Sequence, residues 1–118
     1  MDVNNLYVNA LNAHHALADA PSSRRSLALA QCRTWLDQIP APCVAELHVA
    51  GHLDSGDMVI DDHASRVCAE VWTLHAHALG RFGPVPTLVE WDTDVPGLNV
   101  LLDEAAHARH PAGKGPRA

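Results

Sequence analysis

Residues 43–52, CVAELHVAGH, decide the predicted fold, because they form a short apolar strand that Gly51 ends. A helix is predicted over residues 67–82, where apolar side chains recur at helical spacing and Gly83-Pro84 follows. Residues 86–91, PTLVEW, form a second strand. A strand, a helix and a strand in this order predict a parallel pair of strands joined by a crossover helix.

The flanking segments extend this alternation in both directions. Upstream, Leu6–Val8 is a β-prone stretch, and a helix capped by Ser22 or Ser23 runs to about residue 38. Downstream, Pro96 opens a third helix that ends near residue 109. The order β, α, β, α, β, α predicts an α/β fold with a parallel sheet.

The chain length limits what this fold can be. The 118 residues suffice for one small domain, residues 1–109, followed by a tail, residues 110–118, that we expect to be disordered. A complete TIM barrel needs about 250 residues, and a three-stranded parallel sheet has two open edges. We therefore expect the chain to be incomplete, or to fold against another chain.

Composition excludes several classes of partner. The net charge of −6 disfavours a nucleic-acid surface, and no apolar run is long enough to cross a membrane. Three cysteines, Cys32, Cys43 and Cys68, fit buried thiols in a reducing compartment, so we expect a cytoplasmic location. Nine histidines outnumber the eight lysines and arginines, and histidine is the commonest metal ligand. His75 and His77 fall within a predicted helix, and we expect both on its surface.

Two clusters of candidate metal ligands lie near the predicted strand ends. In the first, a turn at Gly51 brings His52 back over the end of the strand that carries His48, so that the two imidazoles serve neighbouring metals. In the second, Asp61 and His63 point the same way in extended chain and can chelate one ion. Taken singly, a structural histidine or a polar turn explains each cluster as well.

Two further clusters lie at the last strand and at the N-terminus. Glu90 is a carboxylate within an apolar strand, which is costly unless an arginine or a metal ion binds it, and Asp92 is a candidate partner for a ligand. Asp2, Asn4 and Asn5 offer oxygen atoms to an ion, or else cap a turn. Because a barrel brings strand ends to one mouth, the four clusters together predict a metal site.

Five segments resemble, in order, the C-terminal part of the multinuclear non-haem iron-dependent oxidative enzymes. This family, formerly a bacterial domain of unknown function, includes the iron subunit of methanobactin biosynthesis. The segments are DVNNLYVNA (2–10), ELHVAGH (46–52), DMVIDDH (57–63), the Val71-Trp72 helix and RFGPVPTLVEWDTDVPGLNVLL (81–102). The resemblance covers roughly residues 2–108 and implies a partial TIM (β/α)8 barrel, about its last three strand–helix units.

The resemblance also implies a cofactor and a chemistry. The complete protein would hold two or three iron ions, and O2 would be used to remodel a cysteine of a ribosomally made precursor peptide. A partner protein usually presents that peptide. The implied metal ligands are Asp2, Asn5, His48, His52, Asp61, His63 and Glu90, with Asn4 and Asp92 supporting them.

One departure from the family limits this chain. The family has two further histidines and a glutamate on earlier strands, and these ligands have no counterpart here. We therefore expect the chain by itself to bind metal weakly and not to turn over. Two alternatives stay open: a non-catalytic metal-binding half-barrel that completes a separate chain, and a divalent-metal barrel enzyme like xylose isomerase or an endonuclease.

Overall fold

A computed structural model of the chain describes residues 1–15 and 20–109, and the predicted disordered tail lies outside them. The helices are α1 (Val3–Ala13), α2 (Pro21–Gln38), α3 (Ala69–Phe82) and α4 (Leu98–Arg109). The strands are β1 (Leu47–Ala50), β2 (Leu53–Asp54), β3 (Val59–Ile60) and β4 (Thr87–Glu90), and a turn of 3-10 helix covers Ala41–Cys43.

The parallel pairing of β1 with β4 organises the fold. Leu47 lies opposite Thr87 and Ala50 lies opposite Glu90, with α3 in the connection between the strands. On the other side of β1, Asp2 forms an isolated parallel bridge with His48. The predicted strand–helix–strand unit and the mixed α/β class are confirmed, whereas closure into part of a barrel stays a prediction.

The predicted strand at Leu6–Val8 is wrong, because these residues lie within α1. Asp2 caps this helix with its side chain, so that the chain is extended only before it. Val3, Tyr7 and Leu11, spaced four residues apart, form one face of α1 and are buried. Burial at helical spacing outweighed the strand preference of the aromatic and β-branched side chains.

The hydrophobic core lies between the helices and one face of β1. Leu47 and Val49 of β1 are fully buried, as are Leu36 of α2 and Leu74 of α3. Trp35, the residue before Leu36 on α2, is 43% exposed because it lies at the edge of the apolar stripe.

His75 is fully buried, so the prediction that it lies on the surface of its helix is wrong. It follows Leu74 on the buried side of α3, its Nε2 lies 2.8 Å from Thr87 Oγ1, and its ring packs edge-on against Trp72. Its Nδ1 has no hydrogen-bond partner among the described residues. His77 does lie at the surface, 2.7 Å from Asp37 Oδ1.

Burial of His75 predicts a loss of stability in mild acid. Desolvation lowers its pKa from 6.5 to about 4, so the unfolded chain binds a proton there that the folded chain does not. The free energy of unfolding should therefore fall as the pH drops from 6.5 toward about 4, by about 3 kcal/mol from this group.

Urea unfolding at a series of pH values checks this. His75→Gln should flatten the acid-side decline, and the matched surface change His77→Gln should leave it as in the native chain. An unchanged decline in His75→Gln would show that another group is responsible.

Candidate metal centre

The site lies where β1, β3 and β4 end. Because β1 and β4 are parallel, their carboxyl ends adjoin, and the bridge from Asp2 brings the N-terminus to the same place. One ligand atom from each of Asp2, Asp61 and His63 lies within 4.8 Å of the others. The same holds for His63, Glu90 and Asp92. His63 therefore belongs to both groups that can hold a metal ion.

The backbone fixes His63 between its neighbours. Its φ of 51° places it in the left-handed region, which is uncommon for a residue other than glycine. Its N–H donates to the Gly51 carbonyl oxygen at 3.3 Å, and its own carbonyl accepts from the Asp92 N–H at 2.8 Å. This conformation turns the imidazole so that each ring nitrogen meets a different carboxylate.

The two ring nitrogens of His63 differ in their hydrogen bonding. Nδ1 lies 2.9 Å from Asp92 Oδ2 in a hydrogen bond. Nε2 is buried and has no hydrogen-bond partner among the described residues, although Asp61 Oδ1 lies only 2.8 Å away. The close pair is thus aligned poorly for a hydrogen bond.

This arrangement fits a metal ion better than it fits a hydrogen bond. Two ligands bound at right angles to one ion, each at about 2.1 Å, lie about 3 Å apart. The 2.8 Å between His63 Nε2 and Asp61 Oδ1 is close to that separation. A carboxylate on the other ring nitrogen, here Asp92, is the usual way in which proteins orient a histidine ligand. Of the two groups of three, Asp2, Asp61 and His63 therefore fit a metal ion better than His63, Glu90 and Asp92 do.

The charges around His63 favour a cation. Burial lowers the pKa of His63, but the hydrogen bond that its Nδ1 donates to Asp92 and the charges of Asp61 and Glu90 outweigh this effect, and the pKa is raised overall. Carboxylates gathered this closely repel one another unless a positive charge lies between them. A proton on His63 or a bound cation supplies that charge.

Two asparagines of α1 hold Asp61. Asn4 is fully buried, and its Nδ2 donates to Asp61 Oδ1 at 2.5 Å and to the Gly51 carbonyl oxygen at 3.2 Å. Asn5 is exposed, and its Nδ2 donates to Asp61 Oδ2 at 3.1 Å. Asp2 accepts from the Asn5 backbone N–H at 2.9 Å, so the capping role open to Asp2 is present in the structure.

Asn4 also sets the proton position on His52. Because Asn4 Nδ2 faces two acceptors, its Oδ1 is the atom that lies 2.9 Å from His52 Nδ1. His52 therefore carries its proton on Nδ1 and keeps a lone pair on Nε2. Burial lowers its pKa, so the ring is neutral, and it packs against Tyr7 with ring centres 5.8 Å apart. His52 belongs to neither group of three, and its role as a ligand stays a prediction.

His48 contacts carboxylates at both ring nitrogens. Its Nε2 is hydrogen-bonded to Glu46, and its Nδ1 lies 3.0 Å from Glu90 Oε1. These contacts, the Glu46 hydrogen bond foremost, raise the pKa of His48. The described partners of Glu90 are thus histidines and not the arginine that was the alternative. Glu46 was not singled out in the sequence, although its position two residues before His48 in extended chain was a usable signal.

Comparison with known proteins gives a family. A family model described as "RiPP precursor modification enzyme MbnB/TglH/ChrH" matches residues 1–112. No solved structure matches the chain. Within the part of the chain that the structure describes, no helix is both long and apolar enough to cross a membrane.

Curated relatives carry the designation UPF0276 protein. The chain is 41% identical to one from Acaryochloris marina over 108 residues, and 40% identical to one from Vibrio vulnificus over 112 residues. It is 40% identical to one from Caulobacter vibrioides over 111 residues. Each match covers 92% of this chain but only 33–34% of the relative, so the chain spans about a third of the length of these proteins.

Position 51 has no space for a side chain, because a Cβ there would lie 2.2 Å from Ser65 Oγ and 2.3 Å from the Ser65 carbonyl oxygen. Gly51→Ala should therefore destabilise the fold by about 1–3 kcal/mol. The control is Gly80→Ala in α3, where a Cβ would meet no described atom within 4 Å beyond its own helix backbone and chain neighbours, and alanine should stabilise by about 0.5–1 kcal/mol. Urea unfolding measures both, and equal effects would contradict the close approach.

Proposed function

This chain belongs to the family of RiPP precursor modification enzymes described as MbnB/TglH/ChrH, and from this membership we propose that it supplies part of an iron site. In this proposal the complete protein is an oxidase that uses O2 to remodel cysteine residues of ribosomally made precursor peptides. The observation that carries the proposal is the buried Nε2 of His63, which has no hydrogen-bond partner among the described residues and lies 2.8 Å from Asp61 Oδ1, in a group of possible ligands that includes Asp2.

Each residue of the site has a defined task in this proposal. Asp61, His63 and Asp2 hold one iron ion, while Asp92 fixes the ring of His63 and Asn4 fixes the carboxylate of Asp61. When bound, iron would supply the activation of O2 that the oxidation of a cysteine thiolate requires.

The remaining predicted ligands lie beside this group. Glu90 approaches His63 Nδ1 at 4.0 Å and contacts His48, and these two residues would take part in a neighbouring ion site. His52 stays neutral with a lone pair on Nε2, which is the form in which imidazole binds a metal. Asn5 donates to Asp61 from the solvent side, and its own role as a ligand stays a prediction.

A second candidate is the half-barrel that completes a separate chain. It is favoured by the apolar surface of β4 and α4, where Leu88, Leu98 and Leu102 are each at least half exposed. In that case the residues of this chain that hold metal are the same, but a second chain carries the further ligands that the family resemblance implies. The family match gives no support to the isomerase or endonuclease alternative.

We expect iron to bind at His63 at a lower concentration than at other histidines. Ferrous iron added without oxygen is expected to broaden the imidazole NMR signals of His63 at lower concentration than those of His77, which lies on the surface of α3. Asp61→Asn keeps the shape of the side chain but removes its charge, and it should raise the iron concentration required at least about tenfold.

The matched control is Asp57→Asn, because Asp57 lies exposed in the loop between β2 and β3. This variant makes the same change in net charge and should respond like the native chain. Equal responses of His63 and His77, or of the Asp61 and Asp57 variants, would exclude iron binding at this site.

The chain on its own should not modify a peptide. With ferrous iron, O2 and a synthetic peptide that contains one cysteine, mass spectrometry is expected to show the peptide unchanged, because the further ligands that the family resemblance implies have no counterpart in these 118 residues. Oxidative modification of that cysteine, absent in Asp61→Asn and present in Asp57→Asn, would show that the ligands in this chain suffice.

A further inference from the structure

Four of the five asparagines of the chain lie in α1, and all four bond to the segment that carries Asp61 or to one another. Asn4 and Asn5 donate to the Asp61 carboxylate, and Asn9 Nδ2 donates to Asn5 Oδ1 at 3.1 Å. Because the oxygen of Asn5 accepts from Asn9, its Nδ2 is the atom that faces Asp61. Asn5, Asn9 and Asn12 recur at helical spacing on one face of α1, and we call these three residues the asparagine row.

The last residue of the row, Asn12, forms two hydrogen bonds with the backbone of Val59 in β3. Its Oδ1 accepts from the Val59 N–H at 2.8 Å, and its Nδ2 donates to the Val59 carbonyl oxygen at 3.0 Å. A residue of a neighbouring antiparallel strand forms the same pair of bonds. Val59 is buried, and the backbone groups of a buried residue cost free energy when they lack a partner. The Asn12 side chain therefore fixes the path of the backbone at Val59.

The hairpin of β2 and β3 depends on this support because it is very short. Each strand has two residues, with Asp54 opposite Val59, and a two-stranded hairpin by itself is marginally stable at best in water. The outward side chains of the hairpin are largely exposed and add little burial. Arg24 of α2 holds the first strand through an ion pair with Asp54 at 3.1 Å. The second strand, which leads to the metal centre, is held by Asn12.

The segment from Val59 to Asp61 is thus attached to α1 at two points. Its backbone is bound near the end of the helix by Asn12, and the Asp61 side chain is bound near the start of the helix by Asn4 and Asn5. Val59 and Asp61 are two residues apart, about 7 Å in extended chain, so fixing the first limits where the second can lie. Both attachments together hold the Asp61 carboxylate beside the unbonded ring nitrogen of the metal centre, at 2.8 Å.

We propose that Asn12 is a positioning residue of the metal centre, and that its two bonds to Val59 set the place of Asp61 opposite His63. In the described part of the chain Asn12 has no hydrogen bond to a candidate ligand, so it acts through the backbone. The rest of the asparagine row serves the same carboxylate, because Asn9 directs the amide of Asn5 toward it. This inference rests on the proposed function, since it takes Asp61 as a metal ligand.

The first measurement is made without metal. In the native chain, nuclear Overhauser effects should connect the side-chain amide protons of Asn4 with the Hβ protons of Asp61, because the two side chains are hydrogen-bonded. Asn12→Ala removes both bonds to Val59 and should weaken these effects measurably. The matched control is Asn99→Ala, which makes the same change at an exposed position of α4 and should leave the effects as they are in the native chain.

The second measurement is a double-mutant cycle on iron binding. Asn12→Ala should raise the ferrous iron concentration that broadens the His63 signals at least about threefold, less than the roughly 10–100-fold loss typical of a residue that contacts a ligand directly. In the Asp61→Asn background the same change at position 12 should have no further effect, because the ligand that it positions is already lost. A role of Asn12 in folding alone would weaken iron binding by the same factor in both backgrounds.

A further control separates positioning from loss of stability. Ala78→Gly, in the second half of α3, destabilises the fold because glycine is unfavourable inside a helix. Urea unfolding should show this loss, while the iron response of His63 and the contacts between Asn4 and Asp61 should remain as in the native chain.

Three results would overturn the proposal. The first is an unchanged set of Overhauser effects between Asn4 and Asp61 in Asn12→Ala. The second is an equal loss of iron affinity on Asn12→Ala in the native and the Asp61→Asn backgrounds. The third is the same weakening of both measurements in Ala78→Gly, since a general loss of stability would then explain the result.

Failure of the proposed function is seen separately. If the iron response of His63 is absent from the native chain, the metal assignment fails, and the measurement without metal still decides whether Asn12 positions Asp61. If His63 responds to iron but Asn12→Ala changes neither measurement, only the role of Asn12 fails.

Discussion

The close approach of the Gly51 backbone to Ser65 is the constraint on which the rest of the site depends. It leaves no room for a side chain at position 51, and it fixes a carbonyl oxygen that accepts hydrogen bonds from both Asn4 Nδ2 and the His63 N–H. One backbone group thereby joins the first helix, the end of β1 and the segment that carries the central histidine. The position of the candidate metal ligands follows from main-chain geometry more than from side-chain packing.

The same geometry brings several carboxylates close enough together to repel one another. Asp2, Asp61, Glu90 and Asp92 surround one imidazole, and one of its nitrogens is buried with no hydrogen-bond partner in the part of the chain that the structure describes. Such groups cost free energy when nothing compensates them. Binding of a cation would relieve the repulsion between the carboxylates and satisfy the free nitrogen together, so occupancy and stability of the fold are thermodynamically linked.

The sequence predicted those parts of the structure that have a regular period. The helices α2, α3 and α4, and the strands β1 and β4, follow from apolar spacing and from glycine and proline at their ends. The strand expected at Leu6–Val8 failed because local preference is weaker than burial. His75 was misplaced because the spacing defines a helix but not how many of its sides become covered.

The details of the site were less accessible from sequence. Residue types and the sheet topology were enough to bring Asp2, Asp61, His63 and Glu90 into one prediction. The left-handed backbone at His63 was not predictable, since local sequence rarely specifies such a conformation outside glycine.

The two hydrogen bonds between the Asn12 side chain and the backbone of Val59 have a consequence for how well the hairpin tolerates substitution. A side chain of α1 takes the place of a neighbouring strand, so the hairpin keeps its path without help from its own outward residues. Substitutions at those outward residues should therefore cost the fold little and leave the neighbouring site residues in place.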